Sequence, residues 1–370
     1  MIGLAYRALK PLLFSLDPET AHEVVTGPAR AMLAMPGGEF FLRGSLGFGS
    51  RRFRSTVAGI DFPGPVGMAA GFDKTAELYP FLSAAGFHFV ESGTFTPLPQ
   101  DGNPKPRLFR YPGSGALINR MGFNNPGIEK ARSEFAAQDR RKRKGIRGIN
   151  IGKNKITPNE SAISDYSKAF TALQSFGDYI AINISSPNTP GLRELQTVGF
   201  LRELLQELIR LRSPNGPSIF VKFAPDIEST DFVPLLEAAL KGGAAGVILT
   251  NTTISRDFAI EAEATTMEGG LSGRPLFDRS NAMIRLARDA AGSDFAIIGV
   301  GGIDSGPRAL AKILAGANLI QIYSGYIFQG PMLPSNIARF LDSALKKADC
   351  NLSDMVGQEA RFRAMLKNIP

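Results

Sequence analysis

Residues 179–191 read Tyr-Ile-Ala-Ile-Asn-Ile-Ser-Ser-Pro-Asn-Thr-Pro-Gly, and this stretch decides the fold. Its first half, Tyr179–Ile184, is an apolar run of residue types that favour strands. Its second half contains amides, hydroxyls, prolines and a glycine, which favour turns. In barrels of alternating strands and helices, the loops that follow the strands carry the chemistry. We therefore expect a functional loop over Asn183–Gly191, although an ordinary surface loop could have the same composition.

The same alternation of strand and helix recurs between residues 64 and 348. Apolar runs predict strands at Val66–Ala70, His88–Glu91, Ile146–Ile151, Tyr179–Ile184, Ile219–Phe223, Gly246–Leu249, Ala296–Val300 and Leu319–Tyr323. Helical patterns follow them at Glu77–Ala85, Gly127–Lys142, Ala162–Phe176, Glu194–Arg212, Thr230–Lys241, Leu276–Ala291, Pro307–Leu314 and Pro334–Lys347. Eight strands alternating with eight helices predict an α/β fold, a closed (β/α)8 TIM barrel. An open doubly wound sheet is the alternative, but no glycine-rich dinucleotide fingerprint follows the first strand.

The N-terminal segment does not share this rhythm. Met1–Phe14 and Pro18–Met35 read as two helices, with Asp17 as the N-cap of the second and proline at its first position. We therefore divide the chain into a small helical extension, residues 1–45, and a barrel domain, residues 46–370. The apolar face of the helices would either pack onto the barrel or dip into a bilayer surface. A short hairpin is expected after the extension, turning at Ala58-Gly59.

Composition excludes several classes of protein. A single cysteine, Cys350, and two histidines argue against a disulfide framework, a cysteine metal cluster and a zinc enzyme. The net charge of +8 is partly due to the run Arg140-Arg141-Lys142-Arg143-Lys144, which could be a nucleic-acid patch. We instead expect it to end a helix, where cations favour the helix dipole, at the barrel face away from the chemistry. No apolar run is long enough to span a membrane and no secretory signal is present, so we expect an intracellular chain without a nucleic-acid partner.

Polar residues follow every predicted strand. In chain order they are Ala70-Gly71-Phe72-Asp73-Lys74, Ser92-Gly93-Thr94, Asn150, Asn183, Lys222, Thr250-Asn251-Thr252, Gly301-Gly302 and Tyr323-Ser324. Because the strands of such a barrel end at one face, these side chains should meet there. Amides and hydroxyls suit a flat ligand rich in heteroatoms, and Lys74 and Lys222 suit its anionic parts. Glycines after the seventh and eighth strands are typical of a phosphate cradle.

Several longer motifs resemble a known family. "INRMGFNN", "GINIGKNK", "NISSPNTPGLR", "GGLSGRPL", "IIGVGGIDSG" and "QIYSGYIF" are similar to dihydroorotate dehydrogenases of the membrane-associated, quinone-using class. The similarity runs from about residue 17 to about residue 335. It implies a barrel that holds one FMN per chain. It also implies oxidation of (S)-dihydroorotate to orotate, the fourth step of pyrimidine synthesis, with ubiquinone or menaquinone as electron acceptor.

Matching motifs imply a role for individual residues. FMN would be bound by Ala70, Gly71, Phe72, Asp73, Lys74, Thr94, Asn150, Asn183, Lys222, Thr250, Gly273, Gly302, Tyr323 and Ser324. Dihydroorotate would be bound by Lys74, Asn119, Arg120, Met121, Gly122, Phe123, Asn183, Asn188, Asn251 and Thr252. Ser186 would be the catalytic base, and the polar end of a quinone tunnel would be formed by His22, Arg110 and Tyr323. No metal is implied.

The resemblance also implies how the enzyme works in the cell. Serine at position 186, where soluble relatives carry cysteine, favours the quinone class, which has no iron–sulfur partner subunit. We expect a monomer attached peripherally to the cytoplasmic side of a bacterial membrane, since no presequence or anchor precedes the resemblance. A serine hydroxyl is a poor base, and neither His22 nor His88 lies on a strand-end loop. Proton removal should therefore use a water or threonine relay and become faster as the pH rises.

Three other functions fit parts of the sequence. A flavin barrel that acts on tRNA uridines would need a cysteine acid in the site, and Cys350 lies beyond the last strand. A non-catalytic barrel could keep FMN as a structural ligand, but then Ser186 and Lys74 would have no purpose. A soluble enzyme of the same family would use fumarate or NAD in place of a quinone.

Overall fold

The protein is described here from a computed structural model, which covers residues 2–141, 143–362 and 364. Three helices come first: α1 (Ile2–Ser15), α2 (Pro18–Ala34) and α3 (Gly38–Leu46). The strands are β1 (Ser55–Val57), β2 (Ile60–Phe62), β3 (Val66–Met68), β4 (Phe89–Phe95), β5 (Leu108–Tyr111), β6 (Ala116–Asn119), β7 (Ile146–Ile151), β8 (Tyr179–Asn183), β9 (Ser218–Phe223), β10 (Gly246–Leu249), β11 (Gly270–Gly273), β12 (Ala296–Val300) and β13 (Leu319–Ile322). The remaining helices are α4 (Tyr79–Ala84), α5 (Gly127–Arg140), α6 (Ala162–Leu173), α7 (Val198–Leu211), α8 (Ser229–Lys241), α9 (Ala262–Thr266), α10 (Phe277–Ala291), α11 (Gly306–Leu314), α12 (Ser324–Gln329), α13 (Leu333–Ala348) and α14 (Glu359–Phe362).

The predicted barrel is confirmed. Its strands follow the order β3-β4-β7-β8-β9-β10-β12-β13, all parallel, and β13 pairs with β3 to close the ring. All eight predicted strands occur, and the ring excludes the open doubly wound sheet. The largest difference is in β4, which continues four residues past the predicted end at Glu91 to Phe95. The first three of those residues, Ser92, Gly93 and Thr94, are polar or small, so the apolar pattern ended before the strand did.

One end of the barrel is plugged by the predicted hairpin. Strands β1 and β2 pair with Val57 opposite Ile60, and the turn residues Ala58 and Gly59 both have positive φ, which a tight hairpin requires. Phe62 at the end of the hairpin is buried and packs edge-on against Phe89, with ring centroids 5.3 Å apart. This apolar floor closes the N-terminal end of the strands. The opposite end, where the strands finish, therefore remains for a ligand.

The outer helices cover the barrel with apolar stripes. In α7, Leu201, Leu204, Leu205 and Leu208 are fully buried, which is the spacing of a single helix face. Thr197 caps this helix by accepting a hydrogen bond from the backbone of Phe200 at 3.3 Å. Each such leucine stabilises the fold by roughly 1.5–3 kcal/mol through burial. The helices thus fix the strands, and the strands fix the positions of the residues that follow them.

The N-terminal extension is longer than predicted. The cap at Asp17 is present, because its carboxylate accepts from Glu19 N at 3.0 Å and Thr20 N at 3.1 Å, and Pro18 opens the helix. A third helix, α3, was not predicted; it begins after Gly37, whose positive φ turns the chain, and it runs one residue past the predicted boundary at 45. Met1, part of the predicted first helix, lies outside the described residues.

A small antiparallel sheet next to the mouth of the barrel was also missed. Strands β5, β6 and β11 form it, with Gly270 opposite Asn119 and Gly273 opposite Ala116. Its two halves are about 150 positions apart in the chain, so no local pattern announces the pairing. The sheet brings the end of β6 and the glycines of β11 over the barrel mouth.

The basic run lies where it was expected for its described members. Helix α5 ends at Arg140 and β7 begins at Ile146, so the run enters the barrel at the N-terminal end of a strand. Arg143 pairs with Asp178 at 2.7 Å and Lys144 with Glu39 at 2.9 Å; Lys142 lies outside the described residues. Ion pairs within the protein therefore occupy these two cations.

Candidate active site

A cavity opens at the C-terminal ends of the barrel strands. Its volume is about 1010 Å³, including the space at its mouth. It is lined by these predicted site residues: Ala70, Gly71, Lys74, Thr94, Asn119, Met121, Gly122, Phe123, Asn183, Ser186, Asn188, Lys222, Thr250, Asn251, Thr252, Gly273, Gly302, Tyr323 and Ser324. Residues at the ends of seven of the eight barrel strands, all but β7, and residues of the small sheet thus meet in one space.

An amide network forms one wall of the cavity. Asn150 Oδ1 accepts from Thr94 Oγ1 at 2.5 Å and from Asn183 Nδ2 at 3.2 Å. Asn183 Oδ1 in turn accepts from Asn251 Nδ2 at 3.2 Å, and Asn251 also donates to Ser185 Oγ at 2.9 Å. Asn150 itself is fully buried behind this wall and does not line the cavity. Each side chain orients the next, so the wall presents a fixed set of donors and acceptors.

Ser186 lies in the loop after β8 and faces the cavity. Its hydroxyl oxygen accepts from the backbone N–H of Asn188 at 3.2 Å. Within the described residues it has no hydrogen bond to a histidine or a carboxylate. The hydroxyl of Thr189, in the same loop, is buried and has no hydrogen-bond partner in the described structure. Ser186 is therefore not activated by a conventional base.

Arg193, which the sequence reasoning did not single out, holds this loop in place. Its guanidinium donates to Ser185 O at 3.0 Å and to Thr252 O at 2.7 Å, and it pairs with Asp226 at 2.7 Å. One side chain therefore fixes both the loop that carries Ser186 and the loop that carries Thr252. The only feature of the sequence that could have indicated this role is the position of Arg193 at the end of the motif "NTPGLR".

Two lysines give the cavity its positive charge, of which Lys222 is buried and Lys74 is half-buried. Lys74 Nζ donates to Asn124 Oδ1 at 3.0 Å, and burial lowers the pKa of this lysine to about 8. Burial also lowers the pKa of Lys222, while the negative charge of Glu91 opposes that shift. Neither lysine has a carboxylate within 4.0 Å among the described residues. An anionic ligand would therefore relieve the cost of keeping these charges buried.

Glycines open the side of the cavity nearest α12. Gly273 and Gly302 have positive φ values of 98° and 70°. A β-carbon on Gly302 would lie 2.5 Å from that of Phe277, and one on Gly273 would lie 2.2 Å from the carbonyl oxygen of Gly115. Only glycine fits at these positions, which lets the backbone approach a ligand closely. The hydroxyls of Ser272 and Ser324 lie 2.8 Å apart beside them.

Comparison with known proteins identifies the family. The family model described as dihydroorotate dehydrogenase matches residues 52–345. The chain belongs to the dihydroorotate dehydrogenase family. Proteins named dihydroorotate dehydrogenase (quinone) from Methylococcus capsulatus and Teredinibacter turnerae are both 46% identical to it, over 90% of this chain and 97% and 98% of theirs. A crystal structure of DHODH from Eimeria tenella in complex with ferulenol superposes with a TM-score of 0.85 at 35% identity, covering 93% of this chain and 96% of that one.

Membership of this family makes the chain an oxidoreductase of the quinone class and, as members generally are, flavin-dependent. The confirmed fold and the confirmed resemblance therefore agree. They exclude the tRNA-modifying alternative, and Cys350 indeed lies after α13, where its carbonyl accepts from Arg52 at 3.1 Å, away from the cavity.

Besides Asn150, three of the predicted binding residues do not line the cavity. Asp73 is fully buried below it and accepts from Ser92 Oγ at 2.7 Å and Leu78 N at 3.1 Å; burial raises its pKa to about 6. Arg120 points outward and donates to Pro106 O at 3.1 Å. The side chain of Phe72 packs behind the cavity wall. These residues lie within contiguous motifs, and alternate side chains of a motif face opposite ways.

Aromatic rings connect the cavity to the N-terminal helices. The rings of His22 and Phe72 are 4.8 Å apart, and those of Phe72 and Tyr323 are 5.9 Å apart. Tyr323 lines the cavity, and its hydroxyl donates to Gly71 O at 3.4 Å. Burial, with help from the charge of Lys74, lowers the pKa of His22 to about 4, so the imidazole is neutral at physiological pH.

Arg110, the third predicted quinone residue, has a different set of contacts. It donates to the carbonyl oxygens of Leu13 at 3.2 Å and Phe14 at 3.3 Å, and also to that of Leu16. Its guanidinium lies over the ring of Phe14, 4.6 Å from the centroid. These bonds satisfy carbonyls at the end of α1 and attach that helix to β5. Arg110 therefore anchors the helix that flanks the aromatic run.

Proposed function

We propose that this chain uses FMN, one per chain, to oxidise (S)-dihydroorotate to orotate and passes the electrons to a membrane quinone. The observation that carries the proposal is the cavity itself. It combines an anion-attracting lysine, a wall of amides and the serine hydroxyl of Ser186 with a glycine-lined recess. The first three suit a pyrimidine carboxylate, and the recess suits a phosphate.

The residues of the cavity fit FMN in particular. Two buried acceptors at its lining, Gln321 Oε1 and Thr252 Oγ1, have no partner in the described structure, and such atoms are costly unless a ligand satisfies them. Lys222 supplies a buried cation and Thr94 a hydroxyl on the inner side. Gly273 and Gly302 leave room for a phosphate at the other end. A flat, hydrogen-bonding ring with a phosphate tail has this distribution of groups.

The remaining lining residues would hold the substrate. Lys74 would pair with the carboxylate of dihydroorotate, and the side chains of Asn119, Asn188 and Asn251 would donate to and accept from its ring amides. Asn188 Nδ2 already donates to Asn119 Oδ1 at 3.1 Å, so these two amides are fixed relative to each other. A rigid set of partners holds the substrate in the orientation that the reaction needs, which lowers the entropic part of the barrier.

The reaction removes a proton from C5 and a hydride from C6 of the substrate. FMN, when bound, supplies the acceptor for the hydride. Ser186 would take the C5 proton on its hydroxyl oxygen and release its own proton to a relay. The buried hydroxyl of Thr189 is available for that relay, since no described residue satisfies it. Because both members are weak bases, we expect the rate to rise with pH.

Anaerobic addition of dihydroorotate to the yellow protein tests this function. The flavin absorbance should bleach in a rapid single turnover, and added quinone should restore it. Ser186→Ala should slow the bleaching by about 10²- to 10⁴-fold, the usual contribution of a general base, while orotate still binds. A protein that binds no FMN, or a rate that the substitution leaves unchanged, would contradict the proposal.

We also propose that residues 1–45 form the quinone and membrane segment and residues 46–370 the catalytic barrel. Within the described residues, no helix has both the length and the apolar character needed to cross a bilayer. Helices α1–α3 nevertheless expose apolar side chains, namely Leu9, Leu12, Val24, Val25, Met35, Phe40 and Phe41. Such a surface suits peripheral attachment. We propose attachment to the cytoplasmic side of a bacterial membrane, with His22, Arg110 and Tyr323 near the quinone head group.

Flotation with phospholipid vesicles tests the attachment. Wild-type protein should float, and a Phe40→Ser/Phe41→Ser variant should not, because Phe40 is 84% exposed and packs against little else. Comparison of ubiquinone, menaquinone, fumarate and NAD as oxidants identifies the acceptor; turnover with fumarate or NAD would contradict the quinone assignment. We further propose a monomer, since one chain supplies the whole cavity, and sedimentation analysis checks this.

A further inference from the structure

Glu91 is a carboxylate in the middle of the barrel. It lies on β4 two residues after Phe89, so both side chains point inward, with Phe89 in the apolar floor and Glu91 between that floor and the cavity. Glu91 is fully buried. It accepts hydrogen bonds from Asn150 Nδ2 at 2.8 Å, Gln321 Nε2 at 2.7 Å and Tyr179 OH at 3.0 Å. Three other strands therefore direct donors at this one group.

These bonds determine how two amides face the cavity. A side-chain amide has a donor end and an acceptor end, so an amide that donates to Glu91 must turn its oxygen elsewhere. Asn150 Oδ1 thus faces Thr94 and the cavity wall. Gln321 lines the cavity, and its Oε1 is a buried acceptor without a partner in the described structure. With a neutral group at position 91, neither orientation would be enforced.

Glu91 also bears on the charge of Lys222. Lys222 is buried on β9 and has no carboxylate within 4.0 Å among the described residues. The group that favours its charged form is Glu91, acting through space. Tyr179 is the other titratable side chain beside Glu91, and burial together with that carboxylate raises its pKa well above the usual range, so it stays neutral. The pair formed by Glu91 and Lys222 is therefore the charged part of the barrel interior.

We propose that Glu91 is a positioning residue of the flavin site, which presents the oxygen atoms of Asn150 and Gln321 to the cavity and acts on the ammonium of Lys222 through space. This inference rests on the proposed use of FMN. A cation beside a flavin favours the reduced form, which gains negative charge. Glu91 would thus set the midpoint potential of the bound flavin without touching it.

The test is spectroelectrochemical titration of the FMN-loaded wild type and of Glu91→Gln between pH 6 and pH 9. In Glu91→Gln, the pKa of Lys222 should fall further, because the carboxylate no longer opposes the effect of burial. The ratio of oxidised to reduced flavin at a fixed potential should then rise tenfold at pH 8, which corresponds to a potential about 30 mV more negative for a two-electron couple. The difference should become smaller toward pH 6, because acid favours the protonated form of Lys222. Glu203→Gln, the same substitution at an exposed position of α7, should match the wild type throughout.

Several results would overturn the inference. One is a Glu91→Gln protein that binds FMN with the wild-type potential at every pH, and another is a potential that becomes more positive throughout. If Glu91→Gln does not fold, the pH dependence of the flavin potential in the wild type tests the inference instead. A break in that potential between pH 6 and pH 9 that Lys222→Gln abolishes would refute the role of Glu91. A profile without such a break supports it. A wild-type protein that binds FMN but is not bleached by dihydroorotate contradicts the proposed reaction alone. A wild-type protein that binds no FMN contradicts both the proposed reaction and the role of Glu91.

Discussion

Replacement of Arg193 by alanine should damage the site through two loops at once. The guanidinium reaches the carbonyl oxygen that precedes Ser186 and the carbonyl oxygen of Thr252, and it neutralises Asp226. Its side chain is only 19% exposed, so water cannot easily replace these bonds. The substitution removes three hydrogen bonds and leaves a mostly buried carboxylate without its nearest cation.

The size of the effect follows from these contacts. Loss of one partner of a buried ion pair costs roughly 3–5 kcal/mol. The lower end applies here, because Arg279 still lies 3.5 Å from Asp226. We therefore expect the free energy of unfolding to fall by about 3 kcal/mol. Displacement of the Ser186 loop by about 1 Å should slow flavin reduction by about 10²-fold. Arg193→Lys keeps the cation but not the planar fork, and should lose only about 1–2 kcal/mol.

Denaturant unfolding and stopped-flow bleaching by dihydroorotate measure the two effects. Arg210→Ala is the matched control, since Arg210 and Glu207 form an exposed surface pair, which contributes little to stability. Arg193→Ala with the stability and bleaching rate of Arg210→Ala would refute the reasoning. An Arg193→Lys protein that is as impaired as Arg193→Ala would also refute it, because the retained positive charge would then contribute nothing to stability or to the bleaching rate.

Three further outcomes can be measured. Gly302→Ala should abolish FMN retention, seen as loss of yellow colour, because its β-carbon would meet Phe277, whereas Gly199→Ala in α7, which meets nothing within 4 Å, should raise stability by up to about 1 kcal/mol. kcat/KM for dihydroorotate should fall above pH 8, where Lys74, with a pKa of about 8 in the free enzyme, loses its charge. Burial lowers the pKa of His88 to about 4, so as the pH falls the unfolded chain takes up a proton at this histidine before the folded protein does. The free energy of unfolding should therefore fall by about 1.4 kcal/mol per pH unit between pH 6.5 and pH 4 because of this residue. His88→Gln should remove that part of the slope in denaturant titrations at each pH.

The barrel could be predicted because its strands are buried on both faces. Runs such as Ala296–Val300 and Gly246–Leu249 are apolar from end to end, and the structure reproduces their bounds. The same reasoning stopped β4 too early, since Ser92 and Thr94 are polar residues that face buried partners instead of water. The small sheet was not predicted because its strands pair residues that are far apart in the sequence, such as Gly270 and Asn119.

The site could be predicted as a set of strand-end residues but not as a network. Which residues meet follows from the parallel strands, and most of the named set lines one cavity. Which way each side chain points depends on neighbours from other strands, so the sequence did not indicate that the side chains of Asp73 and Arg120 point away from the cavity. Glu91 gave a signal, a lone charge within an apolar strand, whereas Arg193 lies beyond the strand-end pattern and becomes visible only when its carbonyl partners are in place.

The arrangement of charge explains why neither lysine of the cavity is in contact with a carboxylate among the described residues. A carboxylate in direct contact with Lys74 or Lys222 would satisfy the cation and compete with an anionic ligand. The structure instead keeps a carboxylate at a distance from each: Glu91 favours the charged form of Lys222, and Glu19, which is held by Arg107 at 3.0 Å, favours that of Lys74. Each lysine therefore keeps much of its positive charge while its ammonium remains available. Because Glu19 belongs to α2, the N-terminal extension contributes to the charge of the substrate site as well as to the path that leads to it.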